Sequence, residues 1–270
     1  MLTAYDFPTG RACETYGIDI TLVGDSLAQV CLGYDSTTRL TMSEMIHHCR
    51  AVSRGCKTPF LVADMPFGSY HTGTEEAIRN AIALVRDGRV EGVKIEGGLE
   101  VVDTVKKLTT MGIPVMAHVG LLPQRHTSTS GYRVQGKTAS SARGVLHSAL
   151  ALQSAGAFSI LLEAIPHVLA SYITSKVSVP TIGIGAGPGP DGQVLVWDDA
   201  MSTWEGHKAK FVRRFADVKG EVGRGVSGFI GAVRDGSFPD PKKESYEIDT
   251  GEWEAFLKLE ADEGWKEEGQ

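Results

Sequence analysis

The chain has 270 residues, 42% of them hydrophobic and 22% charged, with a formal net charge of −6. The whole excess lies in residues 241–270, where ten acids face four lysines, so the first 240 residues are neutral and offer no basic arm or stripe to nucleic acid. No run of about 18 apolar residues is present and no charged-then-apolar leader opens the chain, which excludes a membrane span and points to a soluble intracellular protein.

In chain order, eight short runs rich in β-branched residues read as strands: "MLTAYD" at the start, "DITLVGD" (19–25), "TPFLVAD" (58–64), "VEGVKIEG" (90–97), "IPVMAHVG" (113–120), "AFSILLEA" (157–164), "VPTIGIGAG" (179–187) and "QVLVWD" (193–198). Amphipathic stretches separate them. Two open with capping-box pairs, Thr41 with Glu44 and Thr72 with Glu75. Strand and helix in alternation imply a parallel sheet, and eight apolar strands in about 240 residues favour closure. The expected fold is α/β, a (β/α)8 TIM barrel, with residues 1–240 as one catalytic domain and 241–270 as an acidic carboxyl-terminal tail. The four cysteines, Cys13, Cys31, Cys49 and Cys56, contain no CxxC pair and read as reduced thiols.

Some segments break the rhythm. The connection 121–141, "LLPQRHTSTSGYRVQGKTASS", is long and polar, as lids and binding loops are. The tail reads as a short docked helix or a solvated appendage. "GIGAGPGPDG" (183–192) has the glycines of a dinucleotide loop, but its prolines and the strand that follows replace the helix such a loop needs. In "HHC" (47–49), adjacent helical residues point in different directions and cannot share a metal.

The chemistry gathers at strand ends. Side chains alternate along a strand, so Lys94 and Glu96 share one face while Val93 and Ile95 take the other. The apolar pair faces the helices, and the charges face the mouth of the barrel, where enzymes of this fold keep their sites. Asp25, Asp64, His118 and Glu163 occupy matching places on other strands. Singly, each has an ordinary reading as a helix cap or a hydrogen-bonded core residue. Together, four acids, a lysine and a histidine at one mouth suit a hard divalent cation such as Mg²⁺, a fixed cation for an anionic substrate, and an acid free to move a proton. That is equipment for enolising an oxo acid.

The ordered motifs "TAYD", "VGDSL", "GYDST", "ADMPF", "VKIEGG", "HVGLLPQ", "GYRVQGK", "LLEAIP", "GIGAG" and "DGQ", across residues 3–240, resemble the ketopantoate hydroxymethyltransferase family. The resemblance implies a barrel enzyme of pantothenate biosynthesis that transfers a hydroxymethyl group from 5,10-methylenetetrahydrofolate to 3-methyl-2-oxobutanoate, giving 2-dehydropantoate. It implies Mg²⁺ on Asp25 and Asp64, with Glu96 near it or linked through water. Ser26 and Lys94 would hold the substrate carboxylate beside the two aspartates, His118 would line the pocket and Glu163 would be the base. It also implies a homo-oligomer, a ring-based decamer, in the mitochondrion or the cytoplasm.

Two features depart from the family pattern: the chain starts almost on its first strand, and the acidic tail exceeds the compact form. Alternative readings are an Mg²⁺-dependent oxo-acid lyase or mutase of the isocitrate lyase type, whose mouth loop would carry a reactive cysteine that 121–141 lacks, and a truncated non-catalytic barrel. The full set of mouth charges argues against the latter, since unpaired buried charge is costly.

Overall fold

The computed structural model describes residues 1–126 and 131–263. Eight strands, β1 (Leu2–Thr3), β2 (Ile20–Val23), β3 (Phe60–Asp64), β4 (Gly92–Glu96), β5 (Val115–Gly120), β6 (Ser159–Glu163), β7 (Thr181–Ile184) and β8 (Gly192–Gln193), pair in parallel in their chain order. The two edges meet: Thr3 N–H donates to the Leu195 carbonyl at 3.2 Å, and the amino terminus donates to Gln193 O at 3.1 Å. The sheet is therefore closed, as the expected (β/α)8 barrel requires.

Helices α1 (Phe7–Thr15), α2 (Leu27–Val30), α3 (Met42–Gly55), α4 (Thr74–Arg86), α5 (Val102–Thr110), α6 (Ala139–Ser154), α7 (His167–Thr174) and α8 (Trp197–Met201) connect or follow the strands. α3 starts where the sequence places it, with Thr41 Oγ1 accepting from Glu44 N–H while Glu44 Oε2 accepts from Thr41 N–H. The expected Thr72–Glu75 box does not form. α4 starts at Thr74 with Gly73 at its cap, which puts Glu75 in the first turn rather than three residues past a capping side chain. β8 is also shorter than the run 193–198 suggested, because α8 already begins at Trp197.

The packing divides into two apolar layers. Val93, Ile95, Ala117, Val119, Ile160 and Leu162 belong to the outer core between strands and helices. Met116, Leu161, Ile182 and Val194 form a smaller cluster inside the barrel, with Met1, Ile20 and Phe158 packed on it. Strand parity produces the split, since Met116 and His118 on β5 share the face opposite to Ala117 and Val119. The inner cluster fills the barrel below the polar mouth.

The chain forms two compact units, residues 1–217 and 218–270. The unit that contains the barrel ends at Asp217, whereas the sequence reading carries the domain to residue 240. The second unit contains α9 (Val218–Asp235) and α10 (Thr250–Glu263). Among the described residues no helix is long and apolar enough to cross a membrane.

Gly120 ends β5 with φ +101°, and a Cβ there would lie 2.3 Å from the Glu163 carbonyl oxygen. Both the left-handed backbone and the close approach demand glycine. Gly120→Ala should lower unfolding stability by roughly 1–3 kcal/mol. Urea denaturation tests this, and an unchanged midpoint would refute the packing constraint.

Candidate active site

Five strands deliver the polar residues to one end of the barrel. Asp64 closes β3, Lys94 and Glu96 lie on β4, His118 lies on β5 and Glu163 closes β6. Asp25 and Ser26 follow β2 directly, and Ser26 leads into α2. Register sets the neighbours: Lys94 lies opposite Asp64, His118 opposite Glu96 and Glu163 opposite Gly120. Every residue expected at the mouth lines one cavity of about 160 Å³.

Lys94 is the hub. Its ammonium lies 3.1 Å from Asp64 Oδ1, 3.8 Å from Glu96 Oε1 and 3.0 Å from His118 Nδ1, with only 4% of the side chain exposed. Asp64 Oδ2 accepts the Asp25 backbone N–H at 2.9 Å. Asp64 Oδ1 is buried, with the Lys94 ammonium as its ion-pair partner and no other polar contact among the described residues. The other imidazole nitrogen, His118 Nε2, faces Glu163 Oε2 at 3.2 Å, without hydrogen-bond alignment.

Burial is the leading influence on the ionisation of these groups. It pushes Asp25 up to about 7, with repulsion from Asp64 adding to the rise. It pushes Glu163 up to about 8, against the pull of Lys94 and with help from Asp64. Glu96 is likewise raised well above the carboxylate range by burial, despite Lys94. On Lys94 burial acts downward, but the carboxylates of Asp64, Glu96 and Asp25 outweigh it and hold the ammonium above its ordinary range. His118 is pushed well below its ordinary value by burial and then by the Lys94 cation. A neutral His118 accepts a hydrogen bond from the Lys94 ammonium at Nδ1, so its own N–H sits on Nε2, 3.2 Å from Glu163 Oε2.

Four residues without a role in the sequence reading, Gln124, Tyr70, Tyr5 and Thr3, extend the hydrogen-bond network of the mouth. Gln124, in the loop 121–141, donates from Nε2 to Asp25 Oδ2 at 2.9 Å and to the Met65 carbonyl at 3.0 Å. Its backbone N–H donates to Glu96 Oε2 at 3.1 Å, and its Oε1 accepts from the Tyr70 hydroxyl at 2.7 Å. The Tyr5 hydroxyl accepts from Thr3 Oγ1 at 2.7 Å and lies 2.8 Å from Ser26 Oγ. Gln124 stands in "HVGLLPQ" and Tyr5 in "TAYD", yet a neutral side chain among loop residues carries no charge signal to single it out.

The loop 121–141 does reach the site, through Gln124 and through Tyr132 in the cavity wall; its residues 127–130 lie outside the described residues. Beyond the cavity opens a groove of about 830 Å³ that shares Ser26, Gln29, Tyr132, Glu163 and Val196 with it. "HHC" is no site: His48 is tied to the Tyr5 carbonyl at 2.6 Å, Cys49 is buried and His47 is exposed. The glycine run after β7 leads into β8 with no helix between, so it offers no helix amino terminus to a phosphate.

Three buried carboxyl groups and the nearly buried Glu163 surround one ammonium, which leaves an excess of acid, and Asp64 Oδ1 still lacks a hydrogen bond. Such a donor set is hard oxygen and suits Mg²⁺. Among the described residues no three His, Cys, Asp or Glu side chains are grouped to hold a metal by themselves. Asp25 and Asp64, joined through the Asp25 N–H, are the pair that could hold a hydrated cation whose remaining positions go to water and substrate.

The ketopantoate hydroxymethyltransferase family model matches residues 1–241. A 3-methyl-2-oxobutanoate hydroxymethyltransferase of Heliobacterium modesticaldum is 48% identical over 242 residues, covering 90% of this chain and 88% of the relative. One from Deinococcus radiodurans is 49% identical over 240 residues, covering 88% and 84%. Among solved structures, phosphonopyruvate hydrolase in complex with oxalate and Mg²⁺ superposes with a TM-score of 0.58 at 14% identity, covering 97% of this chain and 89% of that one. A 2,3-dimethylmalate lyase of the PEP mutase/isocitrate lyase superfamily superposes with a TM-score of 0.56 at 17% identity, covering 97% and 92%. The two structural likenesses speak for the barrel fold alone, whereas the sequence match spans the strands that carry every mouth residue: the chain belongs to the ketopantoate hydroxymethyltransferase family.

Proposed function

We propose that the protein transfers a hydroxymethyl group from 5,10-methylenetetrahydrofolate to 3-methyl-2-oxobutanoate in a Mg²⁺-dependent reaction, giving 2-dehydropantoate. The observation that carries this reading is the set Asp25, Asp64, Lys94, His118 and Glu163 gathered around one small cavity, within a family match across the barrel. Asp25 and Asp64 would hold the ion, with Glu96 behind them, and the ion would act as a Lewis acid toward the oxo acid. Ser26 and Lys94 would bind the substrate carboxylate, which fixes C3 near Glu163.

Glu163 is the base of this scheme. Burial weakens its preference for the charged form, which raises its basicity toward neutral pH, where a proton acceptor works best. Taking the C3 proton leaves an enolate that attacks the donor's one-carbon unit. Across the whole reaction C3–H gives way to C3–CH₂OH, water supplies the hydroxyl, and the donor leaves as tetrahydrofolate. The neutral His118, its Nε2 3.2 Å from Glu163 Oε2, would orient that carboxyl group by a small turn of either side chain. The 830 Å³ groove has room for the larger reactant beside the small cavity. A homo-oligomer, a decamer by the family resemblance, belongs to the same proposal.

An isocitrate lyase type of chemistry finds less support. The loop at the mouth contains no cysteine, and the likeness to that superfamily stays at low identity. A non-catalytic barrel would have no reason to retain this excess of buried acid.

The first test is proton exchange. With Mg²⁺ and 3-methyl-2-oxobutanoate in D₂O, proton NMR should show loss of the C3 proton without folate. Glu163→Gln should slow that exchange by about 10²–10⁴-fold while leaving Mg²⁺ binding in place. Exchange at the normal rate in the variant would remove Glu163 as the base.

The second test uses the shifted carboxyls. Unfolded carboxyls titrate near pH 4, whereas Asp25 and Glu163 do so at about 7 and about 8 in the fold. Between those limits the folded protein binds more protons than the unfolded chain, so this contribution to stability falls as pH rises. Mg²⁺ competes with the proton on Asp25, so the rise in Tm on adding Mg²⁺ should grow from about pH 5.5 to about pH 8.5 and shrink in Asp25→Asn and Asp64→Asn. A Mg²⁺ effect independent of pH, or unchanged in both variants, would contradict the metal assignment.

A further inference from the structure

At the opposite end of the barrel, where α3 and α4 hand the chain back to β3 and β4, four arginines converge on a surface cleft of about 390 Å³. Arg50, Arg54, Arg86 and Arg89 line it, with Asp87 as its one acid. Two of the arginines have structural work. Arg50 Nε donates to the Asp87 carbonyl at 2.8 Å, and Arg86 makes a two-pronged contact with the Asp87 carboxylate at 2.9 and 2.8 Å. The Arg50 contact ties α3 to the residue that caps α4 and satisfies its carbonyl, while Arg86 pairs with its neighbour at the same helix end.

Arg54 and Arg89 are different. Both are exposed, and among the described residues their guanidinium groups have neither a hydrogen-bond nor an ion-pair partner. Four arginines against one aspartate leave an excess of three positive charges. The carboxyl-terminal dipoles of α3 and α4, about half a charge each, take up part of it and leave about two. Like charges crowded in one cleft repel one another, and the planar guanidinium fork matches phosphate oxygens in pairs. The volume falls within the usual range of ligand pockets, about 300–1,000 Å³, and exceeds what one phosphate group needs.

We propose that this cleft is a binding site for a diphosphate-bearing anion, at the end of the barrel away from the catalytic mouth. The site does not depend on the reaction assigned to the mouth, and its test uses no turnover. Calorimetric titration of pyrophosphate, ADP and inorganic phosphate into the whole protein, in EDTA and about 0.15 M chloride, reads it directly. Pyrophosphate should bind, inorganic phosphate should bind at least about tenfold more weakly, and the double variant Arg54→Gln/Arg89→Asn should lose at least about tenfold in pyrophosphate affinity. Asparagine is chosen at position 89 because φ there is 62°, a conformation it tolerates. Both side chains are exposed, so the variant should keep its Tm and its activity, and Arg54→Gln alone gives a second, milder reading.

ADP binding more tightly than pyrophosphate would identify a nucleoside diphosphate as the source of the group, and equal or weaker binding would identify the free diphosphate. Absence of pyrophosphate binding, unchanged affinity in the double variant, or inorganic phosphate binding as tightly as pyrophosphate would each overturn the proposal.

Discussion

The ammonium of Lys94, sealed among Asp64, Glu96 and His118, sets the terms for the rest of the mouth. Removing an ion from water costs several kcal/mol even after relaxation, and only close opposite charge with further hydrogen bonds offsets it. Lys94 finds two carboxylates within 4 Å and a neutral imidazole. Burial and, after it, the Lys94 charge keep His118 neutral, and burial drives Glu163 up against the pull of the same charge. Removing Lys94 would leave the carboxylates around it without their cation, and removing Asp64 or Glu96 would cost Lys94 a counter-charge, so these groups form one electrostatic unit.

That unit has more acid than base. Gln124 stabilises part of it by donating to Asp25 and, through its backbone, to Glu96. Burial first, and repulsion among the carboxyls after it, raise the pKa values of Asp25, Glu96 and Glu163. In the proposed reaction this surplus of acid would hold a divalent cation on Asp25 and Asp64 and leave the Glu163 carboxyl to exchange a proton near neutral pH.

The barrel makes such a cluster tolerable by separating layers. Outward positions such as Val93 and Ile95 join the helices in the outer core, while Met116, Leu161, Ile182 and Val194 pack below the mouth. Gly120 lets β5 approach the Glu163 carbonyl more closely than any side chain would allow. The same barrel shape occurs in a phosphonopyruvate hydrolase and a dimethylmalate lyase at 14% and 17% identity, so shape alone does not choose the reaction. The side chains at the strand ends do.

Strand periodicity is local, and for that reason the sequence alone determined the number and order of the strands, the inward face of Lys94 and Glu96, and the strand-end positions of Asp25, Asp64, His118 and Glu163. The capping box at Thr41 was legible for the same reason, whereas that at Thr72 was not, because α4 begins at Thr74, with Gly73 rather than Thr72 at its cap. Ordered motifs carried the family resemblance. Tertiary structure decided what depends on residues far apart in the chain: barrel closure from Thr3 to Leu195, the bond from Gln124 to Asp25, and the convergence of Arg50 and Arg54 with Arg86 and Arg89. It also decided ionisation, because a carboxyl pKa shifts only when burial removes water and neighbouring strands fix which charges lie beside it.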